Sequence, residues 1–336
     1  MRFFIAALVA AFSMFSLIAC APAPSDDEIV VYTSRHDHLI KPVFDAFTAE
    51  TGIPIRYITD NAGALIARLE AEGARSPADL LITVDAGNLW NATQRGLLAK
   101  TDSDQLDANV PAHLRDPEGH WYGLTVRART MVYSTERVDA AQLSSYQNLA
   151  DAEWQQRLCL RSGSSVYNQS LVATLIERLG EAQTESIVRG WVNNLAAHVF
   201  PNDTAVMEAI IAGQCDVGIV NTYYYGRLKH SQPEAPIGLH FANQNDGGTH
   251  INISGAGITR TASHPEAALA LLEWLTTDTA QRILADENRE YPANPNVPPS
   301  EMVAEWGEFT ADNLNVNVAG ARQIEAVKLM DRAGFR

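Results

Sequence analysis

The sequence predicts an α/β protein with two lobes, in which the chain leaves the first lobe, builds the second and then returns. Apolar strand segments alternate with segments of helical period from Ile29 onward, and this order is typical of an open sheet with helices on its faces. The same order starts again near residue 130. Two extended segments, Thr125–Tyr133 and His250–Thr259, bracket this second unit and suit crossovers between lobes.

Strands are predicted where apolar residues run together, and helices where they recur every three or four residues. The predicted strands are Ile29–Tyr32, Ile53–Ile58, Ala78–Val84, Arg157–Leu160 and Asp216–Val220. The predicted helices are Ile40–Phe47, Leu65–Leu69 and Asn168–Leu179. Because ligands of such sheets bind at the carboxyl ends of the strands, the loop Thr33–His38 is a candidate binding loop.

Composition narrows the class of protein. With 46% hydrophobic and 19% charged residues, the chain of 336 residues is predicted to be globular and long enough for two domains. Its net charge of -15 argues against nucleic acid or an anionic membrane surface as the partner, since both require basic patches. We expect a monomer.

The N-terminus indicates export. A positive charge, the apolar run Phe3–Ile18 and a small residue precede Cys20, which predicts a signal peptide at residues 1–19 and a polar tether at 20–28. The ending before Cys20 resembles a bacterial lipobox, so we expect a periplasmic protein whose membrane contact is a lipid anchor on Cys20. Cleavage within Ala21–Ala23, which would release a free protein, is the alternative.

Two further cysteines remain once Cys20 is lipidated. Cys159 and Cys215 each lie eight residues before a tyrosine of interest, Tyr167 and Tyr223. In an oxidising compartment an even pair favours a disulfide between the two strand segments. Two buried free thiols are the alternative.

Tyrosines follow two strands of the second unit. Tyr223–Tyr225 come directly after one strand, and Tyr167 lies in a predicted loop, Ser164–Gln169, after another. Aromatic packing is the ordinary role of such residues. If both loops open on one cleft with Arg35–His38 of the first unit, however, phenols, imidazoles and a carboxylate converge there. Tyr225 is expected to point away from Tyr224 and to serve packing.

Phenolate and carboxylate groups are hard anionic ligands. A tyrosine has a pKa of about 10, so its phenol binds a metal only when a strong Lewis acid stabilises the phenolate. Ca²⁺ and Mg²⁺ normally take carboxylates, carbonyls and water, and Zn²⁺ prefers His and Cys. This set of candidate ligands therefore favours Fe³⁺.

Eight short segments carry a resemblance to a known family. They are Ser34–His36, Ser76–Asp79, Val126–Thr130, Tyr167–Leu171, Asn202–Thr204, Asn221–Tyr224, Gly248–His250 and Glu290–Pro292. In this order they resemble the periplasmic ferric-iron-binding proteins of the ferric-binding and cyanobacterial iron-uptake type. The resemblance spans essentially the whole mature chain. It implies a two-lobed periplasmic-binding-protein type II fold with iron in the cleft, and delivery to an inner-membrane ABC permease and its ATPase.

The resemblance also implies metal ligands at positions that match the family pattern. These positions are His36, Tyr167, Tyr223 and Tyr224. Asp37 departs from the pattern, because family members often carry a tyrosine there. Its carboxylate could replace the phenolate, or water or a small anion could take the position. His38 is a further candidate, and His36 could either bind the metal or only line the cleft.

Excess negative charge around iron calls for neighbouring cations. Arg35, Arg127, Arg129 and Arg227 lie near the proposed cleft. Guanidinium groups there would lower phenol pKa values and could hold a small synergistic anion through two hydrogen bonds. A surface or hinge ion pair is the alternative role for each.

The predicted lobes are residues 29–127 with 246–300, and residues 128–245 with 301–336.

The sequence has no GxSxG, no GxGxxG after the first strand, no P-loop and no HExxH, so we expect a binding protein rather than an enzyme. The same fold tuned to a polyamine, thiamine or a phosphonate is the alternative function.

Overall fold

The computed structural model describes residues 28–336. The predicted signal peptide, Cys20 and nearly all of the tether lie outside the described residues. Within the described part, no helix is both long enough and apolar enough to span a membrane.

The strands form one continuous path of pairing. They are β1 (Ile29–Thr33), β2 (Ile55–Thr59), β3 (Leu80–Thr83), β4 (Tyr122–Ser134), β5 (Leu158–Cys159), β6 (Val217–Asn221), β7 (Ile237–His240), β8 (Ile251–Ile258) and β9 (Tyr291–Pro292). Their order is β2-β1-β3-β8-β4-β6-β5, with β7 and β9 also paired to β4. β1 runs parallel to β2 and β3, and β5 parallel to β6, whereas β4 and β8 are antiparallel to their partners.

β4 belongs to both lobes. Its first part pairs with β8 and β9, and its second part, from Arg129, pairs with β6 and β7. Where β4 and β8 separate, the Tyr146 hydroxyl donates to the Arg129 carbonyl oxygen at 2.5 Å and accepts from the His250 N–H at 3.1 Å. The two extended segments predicted as crossovers are therefore confirmed as strands that join the lobes.

Helices cover the faces of the sheet. They are α1 (Asp37–Thr51), α2 (Ala62–Glu72), α3 (Ala86–Gln94), α4 (Asp104–Asn109), α5 (Val166–Leu179), α6 (Glu181–Asn194), α7 (Asp203–Ile211), α8 (Thr222–Ser231), α9 (Pro265–Trp274), α10 (Asp278–Asn288), α11 (Glu301–Ala304), α12 (Val318–Ala321) and α13 (Gln323–Ala333). α1 is an example of these amphipathic helices, because its apolar residues recur at helical spacing and are buried. It ends at Gly52, which has φ 77°.

The described residues form three hydrophobic cores, one in the first lobe and two in the second. Phe47 and Trp121 lie in the first core, Trp154 and Trp191 in the second, and the two cysteines of β5 and the segment before β6 in the third. The predicted two-lobed α/β fold is confirmed. The exact lobe boundaries stay a prediction. At the C-terminal end of the chain, residues such as Phe309, Val316 and Ala319 pack with the first core, whereas α13 packs with the second.

Of the two alternatives for the cysteines, the structure has the disulfide. Cys159 at the end of β5 is bonded to Cys215, which lies two residues before β6, and the two Cα atoms are 5.9 Å apart. Both cysteines are buried. The disulfide therefore ties together the two strands from which the tyrosine-bearing segments emerge.

Candidate functional site

A small cavity of about 70 Å³ lies between the lobes. Its walls are Ser34, Arg35, His36, Leu39, Val84, Arg127, Tyr167, Tyr223, Tyr224, Arg227 and Glu290. The first lobe and β4 supply the arginines Arg35 and Arg127 and the carboxylate of Glu290, and the second lobe supplies all three tyrosines. The structure thus brings together most of the residues predicted from the sequence.

Three helices begin at this cavity. α1 starts after His36, α5 after Ser165 and α8 after Asn221, and none of these three capping residues makes a side-chain cap hydrogen bond. The first backbone N–H groups of a helix have no partner within the helix, and its dipole places partial positive charge at this end. Three such ends around one cavity favour bound negative charge, including phenolates.

The tyrosine segments are not the loops that the sequence predicted. Tyr167 is the second residue of α5, and Tyr223 and Tyr224 are the second and third residues of α8. Helix propensities differ by only about 0.7 kcal/mol among ordinary residues, so tertiary packing readily outweighs the weak propensity of tyrosine. Tyr225 points elsewhere, as predicted, and its ring packs edge-on against Trp306, with centroids 6.2 Å apart.

The three phenols form one cluster. The Tyr223 hydroxyl donates to the Tyr167 hydroxyl at 3.2 Å, and the rings of Tyr223 and Tyr224 lie with their centroids 4.3 Å apart. Burial raises the pKa of Tyr223 well above its usual value, and the neighbouring tyrosines raise it further. Burial also raises the pKa of Tyr167, which Arg127 counteracts. These phenols therefore hold their protons unless a strong Lewis acid displaces them.

The guanidinium of Arg127 is only partly hydrogen-bonded within the described residues. It is 1% exposed, its Nη1 donates to Ser254 Oγ at 2.9 Å, and its Nη1 lies 3.7 Å from Glu290 Oε1. Among the described residues its Nε and Nη2 have no hydrogen-bond partner. Buried charged donors are almost always paired, so a guanidinium in the cavity wall with free N–H groups fits a bound anion.

Arg35, by contrast, uses both of its terminal nitrogens in hydrogen bonds within the protein. It donates to Asn288, to Thr125 Oγ1 at 2.7 Å and to Glu290 Oε2 at 2.6 Å. Burial would raise the pKa of Glu290, but Arg35 and Arg127 hold it below its usual value. Glu290 was not among the candidate site residues, although one segment of the family resemblance contained it.

Arg129 does not reach the cavity. Its guanidinium donates to Asn168 at 2.7 Å, to Asp203 at 2.9 Å and to Asn221 at 3.0 Å. These partners lie near the starts of α5 and α7 and at the end of β6. Since every nitrogen of its guanidinium donates within the protein, Arg129 fixes the scaffold below Tyr167 rather than holding an anion.

Two more guanidinium groups lie over the tyrosine rings. The Arg227 Cζ is 5.2 Å from the ring centroid of Tyr223, and the Arg161 Cζ is 5.1 Å from that of Tyr167. Arg161 was not among the candidate site residues. Its position offered a clue, because it follows β5 by two residues, as Arg35 follows β1.

The candidates at the start of α1 are only partly at the cavity. His36 is exposed and lines it, and its ring stacks on that of His38 with centroids 5.8 Å apart. His38 and Asp37 are not in the cavity wall. The Asp37 carboxylate accepts from the Tyr57 hydroxyl at 2.5 Å, and this bond raises the pKa of Tyr57 to about 12. Because α1 begins at Asp37, its side chain turns toward β2 instead of the tyrosines.

The donor set fits a hard cation. Within residues 28–336 no cluster of three His, Cys, Asp or Glu side chains is arranged to hold a metal ion. The cavity instead presents three phenol oxygens, and phenolate oxygens suit hard, highly charged cations.

Comparison with known proteins assigns the chain to a family. The model for bacterial extracellular solute-binding proteins matches residues 43–311. The chain belongs to this family. Iron uptake protein A1 of Synechocystis sp. is 42% identical to it over 92% of this chain and 88% of that protein. The Fe(3+)-binding periplasmic protein of Serratia marcescens is 30% identical, over 96% and 95%.

Solved structures give the same result. The structure of Trichodesmium FutA (IdiA) in complex with iron and citrate ligands matches with a TM-score of 0.89 and 41% identity, over 92% of this chain and 100% of that one. These similarities confirm the predicted resemblance to ferric-iron-binding proteins and the two-lobed periplasmic-binding-protein fold. The relatives named here are binding proteins.

The Arg129 network yields a stability prediction. Arg129→Met should lower the free energy of unfolding by about 3–5 kcal/mol, because it removes the closest cation from the buried Asp203. Arg129→Met/Asp203→Asn should lose less, since the fully buried carboxylate is removed together with its closest cation. Urea unfolding followed by circular dichroism measures both. Arg282→Met, which breaks an exposed pair with Asp278, should leave the midpoint nearly unchanged. Equal losses in the single and double variants would contradict the explanation.

Proposed function

We propose that this protein is an extracytoplasmic receptor that captures ferric iron in the cleft between its lobes and delivers it to an ABC importer. The observation that carries the proposal is the convergence of three phenols, those of Tyr167, Tyr223 and Tyr224, on one cavity. The printed names of the relatives, which include Fe(3+)-binding periplasmic and iron uptake proteins, support it.

The proposed ligands are these three phenolates, whose three negative charges balance Fe³⁺. His36 stands at the mouth of the cavity, where it completes the ligand set or lines the entrance. Asp37 is paired with Tyr57, and its carboxylate is not in the cavity wall, so a small anion bound to Arg127 fits the open coordination positions better. Arg227 and Arg161 lie over tyrosine rings, where their positive charge favours the phenolate form.

Cavity size argues against the organic alternatives. Pockets for drug-sized organic ligands enclose about 300–1,000 Å³, whereas this cavity encloses about 70 Å³. Thiamine or a polyamine would require a wider separation of the lobes. A phosphonate remains the smaller rival, but the relatives named as 2-aminoethylphosphonate-binding proteins are only 23% identical to this chain.

The cellular setting is part of the proposal. A signal peptide at residues 1–19 would direct export to the periplasm, and a lipid on Cys20 would anchor the protein there. The permease and ATPase partners follow from the family of extracellular solute-binding proteins to which the chain belongs. The absence of enzyme motifs from the sequence fits a receptor that binds without chemistry.

The visible absorption of the iron-loaded protein tests whether the proposed tyrosines bind the metal. Addition of ferric citrate to the purified protein should produce an orange to red absorption band, because phenolates transfer charge to Fe³⁺. Tyr223→Phe should abolish most of this band by removing a ligand. Tyr225→Phe is the matched control, since its ring packs against Trp306 outside the cavity, and it should keep the full band. A wild-type protein that stays colourless, or equal bleaching in both variants, would contradict the proposal.

Iron uptake should release protons. Phenols are protonated at pH 7, and burial raises the pKa of Tyr167 and Tyr223 further, so each phenolate ligand must give up a proton when iron binds. We expect about three protons per iron at pH 7, and affinity that falls as pH falls because protons then compete with iron. Calorimetry in two buffers of different ionisation enthalpy measures the number, after correction for the protons of citrate. A value near zero would exclude phenolate ligation.

A further inference from the structure

A buried carboxylate outside the cavity links the two lobes. Asp85 follows β3 in the first lobe and is fully buried. Its Oδ2 accepts from Ser170 Oγ at 2.9 Å and from Asn252 Nδ2 at 2.8 Å. Its Oδ1 accepts from the Gly87 N–H at 2.8 Å and lies 3.2 Å from the same Ser170 Oγ. Ser170 belongs to α5 of the second lobe, and Asn252 belongs to the crossover strand β8. One carboxylate thus joins three elements at the base of the cleft.

The Ser170 hydroxyl, which donates to Asp85, lies one helix turn after Tyr167, a proposed iron ligand. Ser170 lies three residues after Tyr167, and side chains three apart neighbour each other on a helix. Both face the first lobe, since Tyr167 lines the cavity and Ser170 contacts Asp85. Any shift of α5 relative to the first lobe therefore changes the Asp85–Ser170 contact and the position of the Tyr167 phenol together.

Capping of α3 does not explain why this residue is a carboxylate. Asp85 is the N-cap of α3, and this role occupies only the Oδ1 atom. The other four α-helices of the described chain that have a side-chain cap use neutral residues, namely Asn61, Ser103, Asn202 and Thr277. A buried carboxylate is unfavourable by comparison, and burial raises the pKa of Asp85 to about 6. The second oxygen, Oδ2, accepts from Asn252 and makes the shorter contact with Ser170, and an amide nitrogen in its place could accept neither bond.

The orientation of the Asp85 carboxylate is also fixed by Asn252 of β8. Asn252 Oδ1 accepts from the N–H groups of Ala86 and Ile253 at 3.0 and 2.8 Å, so its Nδ2 must point to Asp85. The positive charge of Arg127 favours the ionised form of Asp85. The acceptor that Ser170 meets is therefore held in place by the first lobe and the crossover strand.

We propose that Asp85 is a positioning residue for the iron site, which holds the first turn of α5, and with it Tyr167, in register with the first lobe. The role in iron retention rests on the proposed function, whereas the contact between the lobes does not. Asp85 acts through Ser170 and touches no proposed ligand.

Two variants remove this contact from opposite sides. Asp85→Ser keeps a good helix cap but is too short to reach Ser170, and Ser170→Ala removes the donor from α5. Each should speed iron release to a competing chelator about tenfold, followed by loss of the absorption band. Asp85→Ser/Ser170→Ala should release iron no faster than Asp85→Ser, because Asp85→Ser already removes the acceptor of the Ser170 hydroxyl. Thr277→Ala, which removes a helix cap far from the cleft, should release iron at the wild-type rate.

Hydrogen exchange of the iron-free protein tests the contact independently of iron. The amides at the start of α5 should exchange about tenfold faster in both single variants than in wild type or Thr277→Ala. If wild type binds no iron but exchange changes in this way, the proposed function fails while the positioning contact stands. Unchanged exchange in both variants, or release rates whose increases multiply in the double variant, would overturn the proposal.

Discussion

The hydrogen bond between the Tyr223 and Tyr167 hydroxyl groups, 3.2 Å long, is the contact on which the cleft depends. It joins the first turns of α8 and α5, two helices that emerge from different strands of the second lobe. Burial raises the pKa of both phenols. A trivalent cation can displace the protons of both phenols and bind both oxygens. The same burial that makes the phenols weak acids thus makes them selective for a strong Lewis acid.

Several connections outside the cavity hold this geometry. Arg129 ties the starts of α5 and α7 to the end of β6, and the disulfide ties β5 to the segment before β6. Tyr146 bridges β4 and β8 where these strands separate. The tyrosines are therefore fixed within the second lobe. Their relation to the first lobe depends on the crossover strands and on contacts such as that of Asp85.

Much of the fold could be predicted from the sequence. Apolar runs located β1, β3 and β6 to within two residues, and the flanking extended segments located both crossovers, because burial leaves a direct pattern in hydrophobicity. Helix starts were less predictable. α8 begins at Thr222, in a segment without apolar periodicity, and its helical form depends on packing against the rest of the lobe.

The three tyrosines and three of the four candidate arginines line the cavity as expected, but other charged residues around it were not predicted. Three adjacent tyrosines are conspicuous in any sequence, whereas Arg161, Glu290 and Asp85 are single charged residues whose importance depends on which strand ends meet. Asp37 was a candidate that the structure does not place in the cavity wall. Its position beside His36 suggested a ligand, but as the first residue of α1 it turns to Tyr57. Adjacency in sequence therefore did not place both side chains in one cavity.

The most direct test of phenolate ligation is a crystal structure of the iron-loaded protein, with the metal located by anomalous scattering at the iron absorption edge. We predict one iron ion bonded to the phenolate oxygens of Tyr167, Tyr223 and Tyr224, with an anion between the metal and Arg127 and with Asp37 still bonded to Tyr57. Iron bound by His36 and Asp37, with the three phenols uncoordinated, would contradict this account of the cleft.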